Sequence, residues 1–395
     1  MSLTKVEKPY GRSYNFSAGP ATLPDEVLET ARDEMMNYKG SGQSVMEMSH
    51  RSKVYIDIFT RAQKSLKELL KIPDNYDILF LQGGATMMFS GVLMNLIKVP
   101  GQTEKPVIDY VITGDWSKKA ADEAKMFSEF CTVNIACDAK TAEGYVTIPD
   151  QSTWKLSPNA AYVHYTTNET IRGLTFNTLP EFPEGTTVVC DMSSDFLSRP
   201  IDVSKFGVIY AGAQKNAGPA GATIVIVRKD LLDRSLPFCP SAINFKKQAA
   251  KDSMLNTPPT YAVYICGLYF DYILKHGGLE AVQAQNEEKA KILYETVAQS
   301  DGYYEVLVKD PRFQSRMNVP LHCIAGGEPD KDKMTPHELK FVAEATKLGL
   351  VNLKGYRDLG GVRVSMYNAM TVDGLKMLRE FMNQFKAQNP PIKKD

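Results

Sequence analysis

Charge of one sign is what this 395-residue chain most plainly lacks, since 46 Lys and Arg stand against 46 Asp and Glu. That balance argues against nucleic acid or a membrane surface as a partner, so an anionic ligand has to be held by a local arrangement. Histidine is scarce, and its five copies (His50, His164, His276, His322, His337) show neither HxxxH nor HExxH spacing; no metal site is expected. The six cysteines are scattered without a CxxC among mostly apolar neighbours, which reads as buried free thiols in a reducing cytosol. No apolar run approaches the length of a membrane span, and the opening residues 1–12 are polar, without the pattern of a transit or secretory leader. A cytoplasmic protein is the expectation. Neither Gly-x4-Gly-Lys-Ser/Thr nor GxGxxG occurs, which disfavours a nucleotide site.

What is present is an ordinary globular composition, 43% hydrophobic and 23% charged, in a chain long enough for two domains. From about residue 77 to 228, short β-branched runs alternate with helical patterns. Strands are expected at 77–82, 107–113, 160–164, 186–190, 208–211 and 222–227, with helices opening near Met87 and after Gly114. That alternation predicts an α/β domain on a mostly parallel sheet, whose ligands bind beyond the carboxyl ends of the strands.

Several side chains fall at that edge. Lys215 lies in a loop of Gly, Ala, Asn and Pro between two apolar runs; it is either a solvated turn lysine or an amine desolvated enough to form a Schiff base. Asp191 follows the run 186–190 and is either a helix cap or an acid aimed at a ligand. Trp116, one of two tryptophans, either fills the core or stacks on a flat ring. Thr170 belongs to a polar stretch, Asn168-Glu-Thr170, that also reads as a solvated turn. Gly83-Gly84 before a helix either makes a tight turn or aims backbone N–H groups at an anion. His50-Arg51 at a helix entrance is either surface charge or an anion contact.

Beyond Gly277-Gly278 the pattern changes to strands near 304–308, 313–321 and 362–366 with helices at 335–348 and 373–385, a smaller α+β unit. Arg363 in the last of these strands faces solvent or clamps a carboxylate. A pyridoxal-phosphate enzyme needs a Schiff-base lysine, an acid for the pyridine nitrogen, a phosphate cradle and a flat neighbour for the ring. One candidate for each falls along a single sheet.

Five motifs add a resemblance. Asn15-Phe-Ser-Ala-Gly-Pro20, Asn168-Glu-Thr170-Ile, Tyr210-Ala-Gly-Ala-Gln214-Lys215-Asn-Ala-Gly-Pro-Ala-Gly221, Leu255-Asn256-Thr-Pro-Pro-Thr260 and Ser365-Met-Tyr-Asn-Ala369 resemble the phosphoserine aminotransferase branch of the class V aminotransferases, over about residues 14–386. The resemblance implies a fold type I transferase with a seven-stranded-type central sheet. It implies an N-terminal segment 1–23 joining the small domain, a large domain 24–276 and a small C-terminal domain 277–395. It implies pyridoxal 5'-phosphate carried by Lys215, with Asp191 on the pyridine nitrogen, Trp116 stacked on the ring and Thr170 on the ring hydroxyl. The phosphate falls to Gly84, Ala85, Thr86 and Gln214, and to Asn256 and Thr257 from the other subunit of a homodimer.

Arg363 is implied for the substrate α-carboxylate. His50 and Arg51 from the neighbour, with Arg357, are implied for the distal anion. The implied reaction exchanges phosphoserine and 2-oxoglutarate for 3-phosphohydroxypyruvate and glutamate, in serine biosynthesis. Two positions depart from that family. Tyr356 stands where a histidine is common, and Thr86 where bacterial relatives often carry arginine; each replaces a cation with a hydroxyl. The runner-up activity is a cysteine desulfurase, for which Cys323 is the nearest candidate thiol, in a stretch that reads as a buried strand.

Overall fold

The computed structural model describes residues 3–324, 326–327 and 333–392. Residues 1 and 2 of the expected N-terminal segment, and 325, 328–332 and 393–395 of the expected C-terminal unit, lie outside that set. The centre is a seven-stranded sheet built from β1 (Tyr76–Leu81), β2 (Val107–Ile112), β3 (Thr132–Asp138), β4 (Tyr162–Thr166), β5 (Val188–Asp191), β6 (Val208–Gly212) and β7 (Thr223–Arg228). Its spatial order is β1-β7-β6-β5-β4-β2-β3. Strands β6, β5, β4, β2 and β3 run parallel, whereas β7 is antiparallel to both β6 and β1. Ile224, Val225, Ile226 and Val227 are wholly buried, which explains the unbroken apolar run of β7: a sheet covered on both faces needs no polar alternation.

The helices are α1 (Asp25–Asp33), α2 (Lys53–Leu69), α3 (Gly84–Leu96), α4 (Asp115–Lys125), α5 (Phe245–Ala249), α6 (Thr260–Lys275), α7 (Gly278–Ala298), α8 (Pro336–Lys347) and α9 (Val372–Gln388). Helix α2 shows why they form. The hydroxyl of Ser52 accepts the Tyr55 N–H at 3.3 Å, and Tyr55, Ile58, Phe59, Ala62, Leu66 and Leu69 make a stripe buried against the rest.

A second, antiparallel sheet joins β8 (Tyr304–Val306), β9 (Asn318–Cys323) and β10 (Val362–Ser365), with β9 in the middle. Two hydrophobic cores result. One runs from Val27 to Leu279 with Val308; the other gathers Phe16 and residues between Ala290 and Phe385. Helix α7 enters both, through Leu279 at one end and Ile292 and Leu293 at the other. The N-terminal segment belongs with the second core: Tyr14 and Asn15 pair with Leu350 and Val351, and Phe16 is fully buried there.

The structure departs from the sequence pattern at several places, among them three beside the central sheet. Strand β3 was not expected; it is an edge strand, half-exposed along Val133, Asn134 and Ile135, so its residues lack the signature of a buried run. Helix α3 opens at Gly84 rather than Met87, because Gly83 and Gly84 adopt φ of +94° and +65° and turn the chain directly off β1. The helix after β2 stops at Lys125, short of Phe130.

Candidate active site

Residues 213–222 join β6 to β7 and carry Lys215. The N–H groups of Ala217 and Gly218 donate to the Ala213 carbonyl at 3.0 and 2.9 Å, and Ala213 N–H donates to the Ala222 carbonyl at 3.0 Å, closing one turn. The neighbouring Asn216 is buried and ties this turn to both cores. Its Nδ2 donates to the Ser194 carbonyl at 3.1 Å, and its Oδ1 accepts the Asn368 N–H at 3.0 Å. Held in this way, Lys215 lines a cavity of about 610 Å³ at the carboxyl edge of the parallel strands.

The Lys215 Nζ donates to Thr170 Oγ1 at 2.9 Å and stands 5.4 Å from the centre of the Trp116 ring. Desolvation by burial draws the amine down from 10.5 to about 8, while the nearby charges of Asp191 and Glu169 pull the other way. The neutral, nucleophilic amine therefore becomes the major form above about pH 8, not above 10.5. In the cofactor-free protein, the rate at which Lys215 combines with an aldehyde is expected to rise about tenfold per unit up to pH 8 and then level off. A rise continuing to pH 10 would contradict the desolvated amine.

Asp191 ends β5 and is buried. Burial raises its pKa; against that, Ser193 donates twice to one oxygen, Oδ1, by its N–H at 2.9 Å and its hydroxyl at 2.6 Å. These bonds fix the plane of the carboxyl at the cavity wall.

Trp116 stands in the first turn of α4, and a residue that the sequence pattern left as part of a polar turn holds it there. Glu169 is wholly buried. Its Oε2 accepts the Trp116 N–H at 3.0 Å, and its Oε1 accepts the Ser117 N–H at 3.0 Å and the Ser117 hydroxyl at 2.5 Å. A carboxylate from a distant loop thus caps α4, where free N–H groups and the helix dipole favour negative charge. Burial still lifts its pKa to about 7. Gly114 makes this approach possible, because a Cβ there would lie 2.3 Å from the Glu169 carboxyl carbon.

The N-terminus of α3 forms the opposite wall through Gly84, Ala85 and Thr86. The Gly84 N–H is already bonded to Thr223 Oγ1 at 2.7 Å, and the Met87 N–H returns to the Gly83 carbonyl at 3.3 Å. The N–H groups of Ala85 and Thr86, without carbonyls one turn back in the helix, are the ones suited to an anion. Gln214, Tyr356 and Arg363 complete the expected residues on the wall. Arg363, on β10, brings the second core to the cavity, and desolvation lowers its pKa.

Other expected residues stand apart within this chain. Asn256 and Thr257 are exposed. Gln248 Nε2 donates to Asn256 Oδ1 at 2.9 Å and Gln82 Nε2 to the Thr257 carbonyl at 3.0 Å; Asn256 borders a separate hollow that shares only Gly83 with the first. Arg51 is exposed, and His50 has its Nε2 buried without a partner. Arg357 is 86% exposed and lies 3.6 Å from Asp358. Cys323 is fully buried in β9 and its thiol is pushed well up by burial, so it is not a reactive thiol on a mobile loop. Among the described residues no cluster of three or more metal-ligating side chains occurs, and no helix is long and apolar enough to cross a membrane.

A phosphorylated pyridine aldehyde fits this donor set. The Trp116 Nε1 and Thr166 Oγ1, both on residues of the cavity wall, are buried without hydrogen-bond partners among the described residues. An amine, a carboxylate fixed on one oxygen, an indole face and a helix N-terminus surround the same space. Comparison with known proteins agrees. The family model described as aminotransferase class-V matches residues 13–378. A phosphoserine aminotransferase from Laribacter hongkongensis is 51% identical over 372 residues, 94% of this chain and 98% of the relative. One from Drosophila melanogaster is 48% identical over 95% of this chain and 99% of its own. The crystal structure of a PLP-bound phosphoserine aminotransferase from Trichomonas vaginalis superposes with a TM-score of 0.86 at 42% identity, covering 94% of this chain and all of that one.

Proposed function

The chain belongs to the class V aminotransferases, and we propose that it transfers the amino group of O-phospho-L-serine to 2-oxoglutarate, giving 3-phosphohydroxypyruvate and L-glutamate, reversibly and as a step of serine biosynthesis. The observation that carries this reading is the convergence of Lys215, Asp191, Trp116 and Arg363 on one cavity. The exchange is redox-neutral overall: one amine becomes a ketone while one ketone becomes an amine.

Pyridoxal 5'-phosphate supplies an electron-withdrawing ring that stabilises negative charge at the substrate Cα. The chain's own groups do the rest. Lys215 would hold the cofactor's aldehyde through its Nζ and, with substrate bound, would serve as the base that takes the Cα proton, a task suited to an amine drawn down to about 8. Asp191 would keep the ring nitrogen protonated by offering a fixed carboxylate. Trp116 would cover one face of the ring and Thr170 would meet its hydroxyl. Ala85 and Thr86 N–H groups, with Gln214, hold the phosphate; Gly84 serves there by its backbone shape, because its N–H is already bonded to Thr223.

Arg363 binds the α-carboxylate, and Tyr356 lies beside it as a hydroxyl donor. His50, Arg51, Asn256 and Thr257 are assigned to the site of a second subunit, where Arg51 joins Arg357 at the distal anion. This makes a homodimer part of the proposal, with a large unit 24–276, a small unit 277–395 joined by the segment 1–23, and a cytoplasmic location. The doubly anionic substrate is then met by charge gathered from two chains that are each neutral.

The assay is glutamate formation from phosphoserine and 2-oxoglutarate by purified holoenzyme, compared with a panel of other amino donors. Phosphoserine should give the highest kcat/KM. A donor without a distal anion that matches it would overturn the substrate assignment. Arg363→Ala should lower kcat/KM for every α-amino acid by about 3 kcal/mol, on the order of a hundredfold, mostly in KM. A loss confined to phosphoserine would place Arg363 at the distal anion instead.

A further inference from the structure

We infer that Tyr210 and His164 are positioning residues for this reaction, holding the Asp191 carboxyl in its acceptor form for the ring nitrogen without touching the substrate. The inference rests on the proposed reading of Asp191. Sheet register places Tyr210 on β6 directly across from Asp191 on β5, and partners in register share a face of the sheet. His164 projects from β4, one strand further along, in register with Val189. Its Nε2 lies 2.8 Å from the Tyr210 hydroxyl, and the Tyr110 ring lies against the imidazole at 4.9 Å. Asp191, Tyr210, His164 and Tyr110 are all buried.

The protons in this string have one consistent arrangement. Tyr210 faces Asp191 across the two strands, and its phenol favours the charged form of that carboxyl. In the inferred arrangement its single proton is directed to Asp191 and its oxygen accepts from His164. The imidazole must then carry its proton on Nε2, which leaves Nδ1 as a bare acceptor. Nδ1 is buried without a partner among the described residues. Burial draws His164 down to about 3, so the ring is neutral and supplies one donor rather than a charge. A core lacking a ligand to serve would be better filled by phenylalanine at both positions, because an unpartnered buried nitrogen costs stability. The two residues make sense as support for a carboxylate that burial otherwise drives toward its neutral form.

The test compares two probes on cofactor-free protein: pyridoxal phosphate, and its analogue with the ring nitrogen replaced by carbon. Tyr210→Phe should weaken pyridoxal phosphate about tenfold and leave the analogue unchanged. His164→Leu should do the same to a smaller degree, and His164→Gln, which keeps a donor, should restore the wild-type value. Equal weakening of both compounds, or of neither, overturns the inference and leaves the proposed reaction standing. Wild-type protein that binds the two compounds equally well overturns the role of Asp191 and this inference with it. If Tyr210→Phe fails to fold, the Leu and Gln pair at His164 decides the matter alone.

Discussion

Lys215→Ala protein is expected to fold normally and to lose amino-group transfer by at least about 10⁴-fold, because one side chain performs two tasks. In the proposed mechanism the Nζ both holds the cofactor and moves the Cα proton, and among the described residues no second amine lines the same wall. Folding should survive, since the amine makes one recorded hydrogen bond, to Thr170. Losing it should cost about 1 kcal/mol. The turn itself is held by Ala213, Asn216 and Ala222, none of which depends on the lysine side chain. A small primary amine added to the assay should restore a fraction of the rate by replacing the missing base. Lys215→Arg should not recover it, because a guanidinium stays protonated where the wild-type amine titrates near 8. Turnover within tenfold of wild type in the alanine variant would remove Lys215 from the centre of the chemistry.

What the sequence made legible follows from where each residue stands on its element. Lys215, Asp191 and Trp116 each follow an apolar run closely, so a strand-end rule was enough to find them. Arg363 was readable only as a two-way choice, because a residue inside an alternating strand faces one side or the other, and the packing of β9 against β10 decides which. Glu169 was hidden for the opposite reason: in sequence it is one polar residue among several, and its partners lie 52 and 53 positions away at the start of α4. Tyr210 and His164 were hidden inside strands that read as apolar, since burial of a polar group is a property of the fold and not of the run that contains it. Strand β3 escaped because an edge strand is only partly covered. Asn256 and Thr257 came from resemblance alone and His50-Arg51 was readable only as surface charge or an anion contact, and nothing within a single chain draws these four to the cavity.

Glu169 carries the second large expected effect. Alanine there would leave the N–H groups of Trp116 and Ser117 facing a buried space with no acceptor, while the Ser117 hydroxyl turns to the Gly114 carbonyl at 3.2 Å, at a cost of about 3 kcal/mol in stability. The more informative change is Glu169→Gln, which fits the same space. A glutamine has one carbonyl oxygen, so it can serve either the Ser117 donors or the Trp116 N–H; its NH2 group must then point at the other donor. Trp116 would lose the tether that fixes the indole beside Lys215. We expect pyridoxal phosphate affinity to fall about tenfold, equivalent to about 1.4 kcal/mol, with a shift in the fluorescence of cofactor-free protein that is absent when Trp116 is also replaced. The dependence on pH has a sign. Because burial lifts Glu169 to about 7, the wild-type carboxyl protonates as pH falls through 7 and becomes a donor itself on one oxygen, which is the defect that glutamine imposes at every pH. The gap in affinity between wild type and Glu169→Gln should therefore be widest above pH 8 and narrow below pH 6. A gap constant from pH 6 to 9 would mean that Glu169 does not change its protonation in that range, and no gap at any pH would mean that it acts only by filling space beside Gly114, and not as the acceptor that seats the ring-facing tryptophan.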